Sequence, residues 1–315
     1  MIYSNILKTN NTITIMNLLF IIAFTLILGN TFSICSAYDE DMARHCVDLS
    51  QASYSGISDL DSWTCKTCDQ NVELDYIVEE GGVLALQGYD SYSDSLFIAF
   101  RGSVNIQNWI NNIQISKITP YNDTSIGVSK GFYKAYNSIK PDLFDNLPSL
   151  VDKYNTRRIL ITGHSLGAAI STLMAYDIAT MFPTYELSYV VNFGSPRVGN
   201  SAFSTSFNSY SSSFTHYRIT HYYDIVPHVP EEFLGYEHVS DEIWYNEENG
   251  DFYICNDATG EDNSCSNSCS PTHCTSTSDH LDYLNVIMGS SSSSSSVEDN
   301  IDDNIDDNID DNIDV

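Results

Sequence analysis

Between residues 70 and 230 the chain alternates short apolar runs with longer amphipathic stretches. Residues 83–86 and 96–100 are apolar throughout and predict strands. Residues 131–154 carry the helical spacing of apolar positions and predict a helix, broken or bent around Pro141 and Pro148. A short β-branched run follows at 158–162, then an apolar helix at 166–182, then further strand runs at 187–193 and 215–220. Strands separated by helices imply an α/β protein, with a mixed, mostly parallel sheet and helices on its faces. No repeat of 20–50 residues is visible in this region.

The two ends follow other patterns. Residues 18–28 form the longest strongly apolar run and precede Cys35-Ser36-Ala37, small residues of the kind a signal peptidase reads. The run falls short of the ~20 apolar residues of a spanning helix. Residues 1–37 are therefore expected to be a secretory signal, leaving no transmembrane anchor in the mature chain. At the other end, seven consecutive serines from Ser290 to Ser296 lead into Asp-Asp-Asn-Ile repeats. Nine acids and no base lie between Glu298 and Asp314, so residues 290–315 are expected to be a disordered linker and acidic tail. The folded domain is then 38–289.

Charge narrows the partners. The chain has 13 Lys and Arg against 42 Asp and Glu, a formal net charge of −29. Without Lys8 and the nine tail acids the folded part stands at −21. Phosphate binding needs clustered cations, so nucleic acid is excluded as the main partner. Attraction to anionic lipid surfaces is disfavoured on the same ground.

Eight cysteines are present, and seven remain once Cys35 leaves with the signal. In a secreted chain these are expected to form disulfides, with one left over. Cys65-Lys-Thr-Cys68 has the form of half a zinc site, but Cys265, Cys269 and Cys274 are not spaced as its second half, so no metal and no cofactor are expected. One Asn-x-Thr sequon, Asn122-Asp123-Thr124, lies in a polar segment and predicts a glycosylated loop.

The chemistry centres on Gly163-His164-Ser165-Leu166-Gly167. This G-x-S-x-G directly follows the strand run 158–162 and directly precedes the helix run, the setting of a nucleophile elbow. The flanking glycines remove side chains that would collide where the chain turns sharply. A serine needs a base, and the base a carboxylate. In elbow enzymes these follow as acid and then histidine along the chain. Asp224, just past the strand run 215–220, stands where a sheet presents catalytic groups. His280 lies near the end of the folded part, but His228, His238 and His273 also follow Asp224, and spacing does not choose among them.

Several motifs together resemble the class 3 lipases, the fold family of the filamentous-fungal triacylglycerol lipases. They are Ala99-Phe100-Arg101-Gly102-Ser103, Asn108-Trp109-Ile110, the Ser165 elbow, Phe193-Gly194-Ser195-Pro196-Arg197-Val198-Gly199-Asn200, Asp224-Ile225-Val226-Pro227 and Asp279-His280-x-x-Tyr283, in that order. The resemblance runs from about Tyr54 to Tyr283 and implies an α/β-hydrolase fold in a single domain with a helical lid. It selects Ser165, Asp224 and His280 as the catalytic triad. It implies an oxyanion hole from the N–H of Leu166 and the N–H and hydroxyl of Ser103. The segment after Ser103 would be the lid, and Ile106, Trp109, Ile110 and Ile113 fall on one helical face there. Between Val104 and Ser116 there is no charged residue, which suits a lipid-facing lid.

The expected activity is hydrolysis of acylglycerols at a lipid interface by a secreted monomer, with an endolysosomal lumen as the other location. A phospholipase A or a feruloyl esterase of the same fold is the alternative, and a non-catalytic binding module is the non-enzyme reading. The cysteines depart from the family. Cys65–Cys68 and Cys255–Cys265 match family pairs in position, but no cysteine follows His280 to hold the N-terminal helix. Cys46 is left to Cys269, to Cys274 or to no partner.

Overall fold

The computed structural model describes residues 38–256, 260–269 and 273–289. The expected signal (1–37) and the Ser-rich acidic tail (290–315) lie outside the described residues. The chain divides into two compact units, Met1–Glu40 and Asp41–Val315; only residues 38–40 of the first are described, and the sheet belongs to the second. No described helix is long and apolar enough to cross a membrane.

Helices α1 (Glu40–Ala52) and α2 (Ile57–Asp61) precede the hairpin of β1 (Val72–Glu80) and β2 (Val83–Asp90). Gly81 and Gly82 close that hairpin at φ +59° and +79°, the left-handed pair that a two-residue turn demands. Next come β3 (Ser95–Phe100), the short α3 (Ile106–Asn111), and a two-stranded ladder of β4 (Lys117–Ile118) with β5 (Val128–Ser129). Then follow α4 (Lys130–Tyr154), β6 (Arg158–His164), α5 (Leu166–Met181), β7 (Glu186–Phe193), α6 (Ser201–Ser211), β8 (Thr215–His221), β9 (Glu242–Tyr245) and β10 (Phe252–Ile254). The chain ends in α7 (Thr277–His280) and a small ladder of β11 (Asp282–Tyr283) with β12 (Val286–Ile287).

The main sheet has eight strands in the order β1-β2-β3-β6-β7-β8-β9-β10. Its centre, from β3 to β9, is parallel, and the outer pairs β1–β2, β2–β3 and β9–β10 are antiparallel. Register decides where the chemistry goes. Phe100 pairs with Gly163, His164 with Phe193, and Phe193 with Ile219. The carboxyl ends of β3, β6, β7 and β8 therefore lie level, and the loops leaving them share one edge.

One helix differs from its sequence pattern, and another follows it closely. α4 runs unbroken through Pro141 and Pro148. Its buried residues Phe132, Tyr136, Ile139, Leu143, Leu147 and Leu150 form one stripe, while both prolines lie on the exposed face. The carbonyls that lose their hydrogen bonds thus face solvent, and core packing holds the helix through them. In α5, every residue from Gly167 to Ile178 is buried, so this helix forms the centre of the core rather than a surface layer.

The cysteines resolve as Cys65–Cys68, Cys255–Cys265 and Cys269–Cys274. The last bond takes both candidates away from Cys46, which is buried in α1. Side chains of α1 tie the segment after His280 instead. Gln51 donates from Nε2 to the Gly289 carbonyl (2.9 Å) and accepts from the Gly289 N–H (3.0 Å), and Arg44 donates to the Leu284 carbonyl (3.3 Å).

Candidate active site

Ser165 sits between β6 and α5 at φ 60° and ψ −126°, a backbone conformation costly for any residue with a Cβ. The neighbouring glycines permit it. A Cβ on Gly163 would collide with the carbonyl of Gly167, and one on Gly167 with the carbonyl of Phe100 at the end of β3. The Ser165 N–H donates to the Phe193 carbonyl (3.0 Å), fixing the turn against β7. The serine is fully buried.

His280, at the end of α7, comes to the same place from the far end of the chain. Its Nδ1 donates to Asp224 Oδ2 (2.9 Å), and both side chains are buried. The carboxylate can only accept, so Nδ1 carries the proton and Nε2 holds a lone pair. Neither His280 Nε2 nor Ser165 Oγ has a hydrogen-bond partner among the described residues. Serine–base hydrogen bonds are often unformed before substrate enters. Asp224 is itself held: Oδ1 accepts from the Val226 N–H (2.7 Å), and Oδ2 also accepts from the Tyr283 hydroxyl. Burial, the charge of Asp224 and the hydrogen bond to it push the Tyr283 hydroxyl well above its ordinary pKa, so it remains a donor. Gly194 (φ +56°) lets the imidazole lie close, for a Cβ there would be 2.9 Å from His280 Cε1 and Nδ1.

A second histidine supports the first. His164 Nε2 lies 2.8 Å from the carbonyl oxygen of His280, and its ring centroid is 4.4 Å from the His280 ring. That carbonyl can only accept, so His164 is protonated on Nε2, and Nδ1 accepts from the Tyr54 hydroxyl (2.7 Å). Burial, with a further contribution from His280, holds His164 well below the ordinary imidazole pKa and keeps it neutral. Burial likewise pushes the Tyr54 hydroxyl up, only partly offset by its hydrogen bond with the Gly102 backbone. Tyr54 therefore joins the loop after β3 to the elbow, and the elbow to His280.

That loop carries Gly102 and Ser103. A Cβ on Gly102 would lie 3.0 Å from Cβ of Ser165, so the Gly102–Ser103 backbone passes directly against the serine. Leu166 opens α5, whose N-terminal N–H groups and positive dipole end face the same point. Along α3 and just beyond it the apolar positions are partly covered, Trp109 and Ile113 against the core. Ile106, Trp109, Ile110 and Ile113 are all half-buried, and Trp109 stacks on Phe132 at 6.1 Å between ring centroids. The helix is shorter than its apolar pattern, because Asn105 caps its start and Asn112 ends it.

The structure thus brings Ser165, Asp224, His280, Ser103 and Leu166 to one edge. Neither His228 nor His238 is bonded to Asp224; His238 spends Nε2 on the Pro227 carbonyl (2.7 Å). Sequence reading missed the supporting roles of Tyr54, His164 and Gly194. His164 and Gly194 carried a signal, through their places in Gly163-His164-Ser165-Leu166-Gly167 and Phe193-Gly194-Ser195-Pro196, and Tyr54 lies in no such motif. Of the described residues only Glu242, Cys255 and Cys265 cluster as metal ligands would, and the two cysteines are bonded to each other.

A serine on a strand–turn–helix elbow, with a carboxylate-tethered histidine arriving from strand-end loops, defines a serine hydrolase of the α/β type. The family model described as Lipase (class 3) matches residues 97–234. The chain is 28% identical to a lipase of Rhizomucor miehei over 234 residues, 72% of this chain and 63% of that protein. It is 27% identical over 218 residues to the secreted mono- and diacylglycerol lipase A of Penicillium cyclopium, covering 69% of this chain and 68% of the other. A solved triacylglycerol lipase, described as having a serine protease triad at its catalytic centre, superposes with a TM-score of 0.72 at 26% identity, over 80% of this chain and 97% of the other. In sequence, fold and site the chain is similar to the class 3 lipases.

Proposed function

We propose that residues 38–289 form a secreted lipase that hydrolyses acylglycerols through an acyl-enzyme on Ser165. The observation that carries the reading is the Asp224–His280 pair, which fixes the imidazole tautomer with Nε2 as the base beside a strained, buried serine. Nε2 takes the proton of Ser165 Oγ as it attacks the ester carbonyl. The N–H groups of Leu166 and Ser103, with the Ser103 hydroxyl, receive the oxyanion. His280 then returns the proton to the leaving alcohol, and a water molecule, activated in the same way, frees the fatty acid. Asp224 orients and stabilises the imidazolium throughout.

The half-buried face of α3 fits a lid. It covers apolar surface in water and would turn Ile106, Trp109, Ile110 and Ile113 toward lipid on opening, each worth roughly 1.5–3 kcal/mol when moved out of water. The relative named as a mono- and diacylglycerol lipase supports neutral glycerides over phospholipid or feruloyl esters, and its description as secreted supports release from the cell. Asn122 is exposed, as a glycosylated sequon requires. Rates on triolein emulsion, phosphatidylcholine and methyl ferulate test the substrate order. Triolein should be fastest, with a rate that rises sharply once substrate exceeds its solubility. A preference for methyl ferulate, or a smooth dependence on a dissolved ester with no such rise, contradicts the reading.

A further inference from the structure

The most exposed large apolar side chain among the described residues lies neither in the lid nor in the site. Phe233 is 84% exposed, at the middle of the short helical turn Glu232–Leu234. A single exposed apolar residue needs no explanation. Its setting is what calls for one. Arg197, itself buried, donates to the carbonyls of His228 (2.9 Å) and Pro230 (3.2 Å) and pairs with Glu232 (3.4 Å) and Glu261 (2.8 Å). From the other side Lys117 donates to the Leu234 carbonyl (2.7 Å) and lies 4.0 Å over the Tyr236 ring, while the Tyr236 hydroxyl donates to the Ile115 carbonyl (3.2 Å). Two cations and a tyrosine thus brace a turn whose central side chain touches little of the protein. Two of the three braces attach to residues 115–117, directly after the segment 104–113. The turn is therefore held against the stretch that directly follows that segment, where Ile115 is itself 51% exposed.

We propose that Phe233 is a fixed lipid anchor, an apolar contact with the lipid surface that stays exposed whether the α3 segment is closed or open. The inference rests on the lipase reading and adds a second binding element to it. An enzyme whose lid hides its apolar face in water has little with which to hold a droplet first. A braced phenylalanine beside the lid supplies that first hold, and the lid residues follow. The surface it fits is neutral or zwitterionic. Glu231 and Glu232 directly precede Phe233, Arg197 and Lys117 are spent on Glu232, Glu261 and backbone carbonyls, and the folded part carries a net charge of −21, so charge does not favour anionic lipid.

The test compares wild type with Phe233→Ser and Phe233→Trp, each checked for folding by thermal melting. Adsorption is measured on triolein droplets coated with phosphatidylcholine, and on droplets coated with phosphatidylglycerol. Phe233→Ser should adsorb about tenfold or more weakly to the zwitterionic droplets, the effect of withholding one buried phenylalanine ring. Phe233→Trp should adsorb as wild type does, and wild type should prefer the zwitterionic coat. Wild type that hydrolyses triolein while Phe233→Ser adsorbs equally well overturns the anchor and leaves the lipase reading standing. Wild type that neither adsorbs nor hydrolyses triolein overturns both.

Discussion

Tyr54 and His164 are 110 positions apart, yet their hydrogen bond and the next one, to the carbonyl of His280, set where the proposed base stands. Nothing along the chain marks Tyr54, since contacts of that separation leave no periodicity to read. Its replacement by phenylalanine removes one donor and leaves a buried imidazole nitrogen unsatisfied, a loss of about 1–3 kcal/mol. Part of that should appear in the reaction: kcat on a dissolved short-chain ester should fall about tenfold with KM little changed, as steady-state kinetics will read. A change confined to KM would assign Tyr54 to substrate binding instead. Ser103→Ala keeps the N–H and loses the hydroxyl; a lost oxyanion donor typically costs ~10²–10³ in kcat. An unaltered kcat would leave the oxyanion to backbone N–H groups alone. Gly194→Ala is the steric counterpart, since its Cβ would press on the imidazole at 2.9 Å in a backbone region that disfavours side chains.

Among the elements, those buried on both faces were legible and those at the margins were not. The runs that became β3, β6 and β7 are rich in consecutive apolar residues because a central parallel strand is covered on both sides, whereas β8 carries only Tyr217 and Ile219 among polar positions. β1 and β10 lie at the sheet's edges and carry exposed or acidic positions, so their patterns break; β9, inside β10, is only four residues long. α4 misled for another reason: proline argues against a helix interior only when packing does not decide, and here a six-residue stripe does. Elbow, acid and histidine were legible as types, whereas the choice of His280 came from motif resemblance and not from spacing. At this scale α3 makes its own prediction. Trp109→Ala removes the stack on Phe132, worth about 0.5–1.5 kcal/mol. If α3 is a closed lid, that weakens closure: the rate on dissolved ester should rise a few-fold and the rise at the interface should shrink. An unchanged ratio of the two rates would make α3 an ordinary helix. Gln51→Ala, which cuts the pair of hydrogen bonds to Gly289, should lower the melting temperature by the several degrees that about 1–2 kcal/mol brings in a domain of this size.

For the whole molecule, acidity and burial pull in one direction over the mildly acid range. Burial holds His164 and His238 well below the ordinary imidazole pKa. In the unfolded chain both titrate near about 6.5. As pH falls through that value the unfolded state takes up protons that the native state refuses, so stability declines until the folded values are reached. Asp90 acts later in the same sense: burial pushes it up, but the His45 ring 3.1 Å away and hydrogen bonds from Ser93 and the Tyr92 N–H prevail and hold it low, so its contribution is lost as pH falls below the ordinary carboxylate value. The melting temperature should therefore be level above about pH 7.5 and fall below about 6.5. His238→Gln, which keeps a donor for the Pro227 carbonyl, should flatten that fall. A melting temperature that climbs on mild acidification would mean that relief of carboxylate repulsion dominates instead. Everything proposed for the reaction turns on Ser165 Oγ as the atom that takes the acyl group. Mass spectrometry of the protein after reaction with a long-chain alkyl fluorophosphonate tests it most directly. One adduct per chain is predicted, on the peptide that holds Ser165, with activity lost in proportion and no adduct on Ser165→Ala. An adduct on another residue, or full labelling with activity retained, would contradict it.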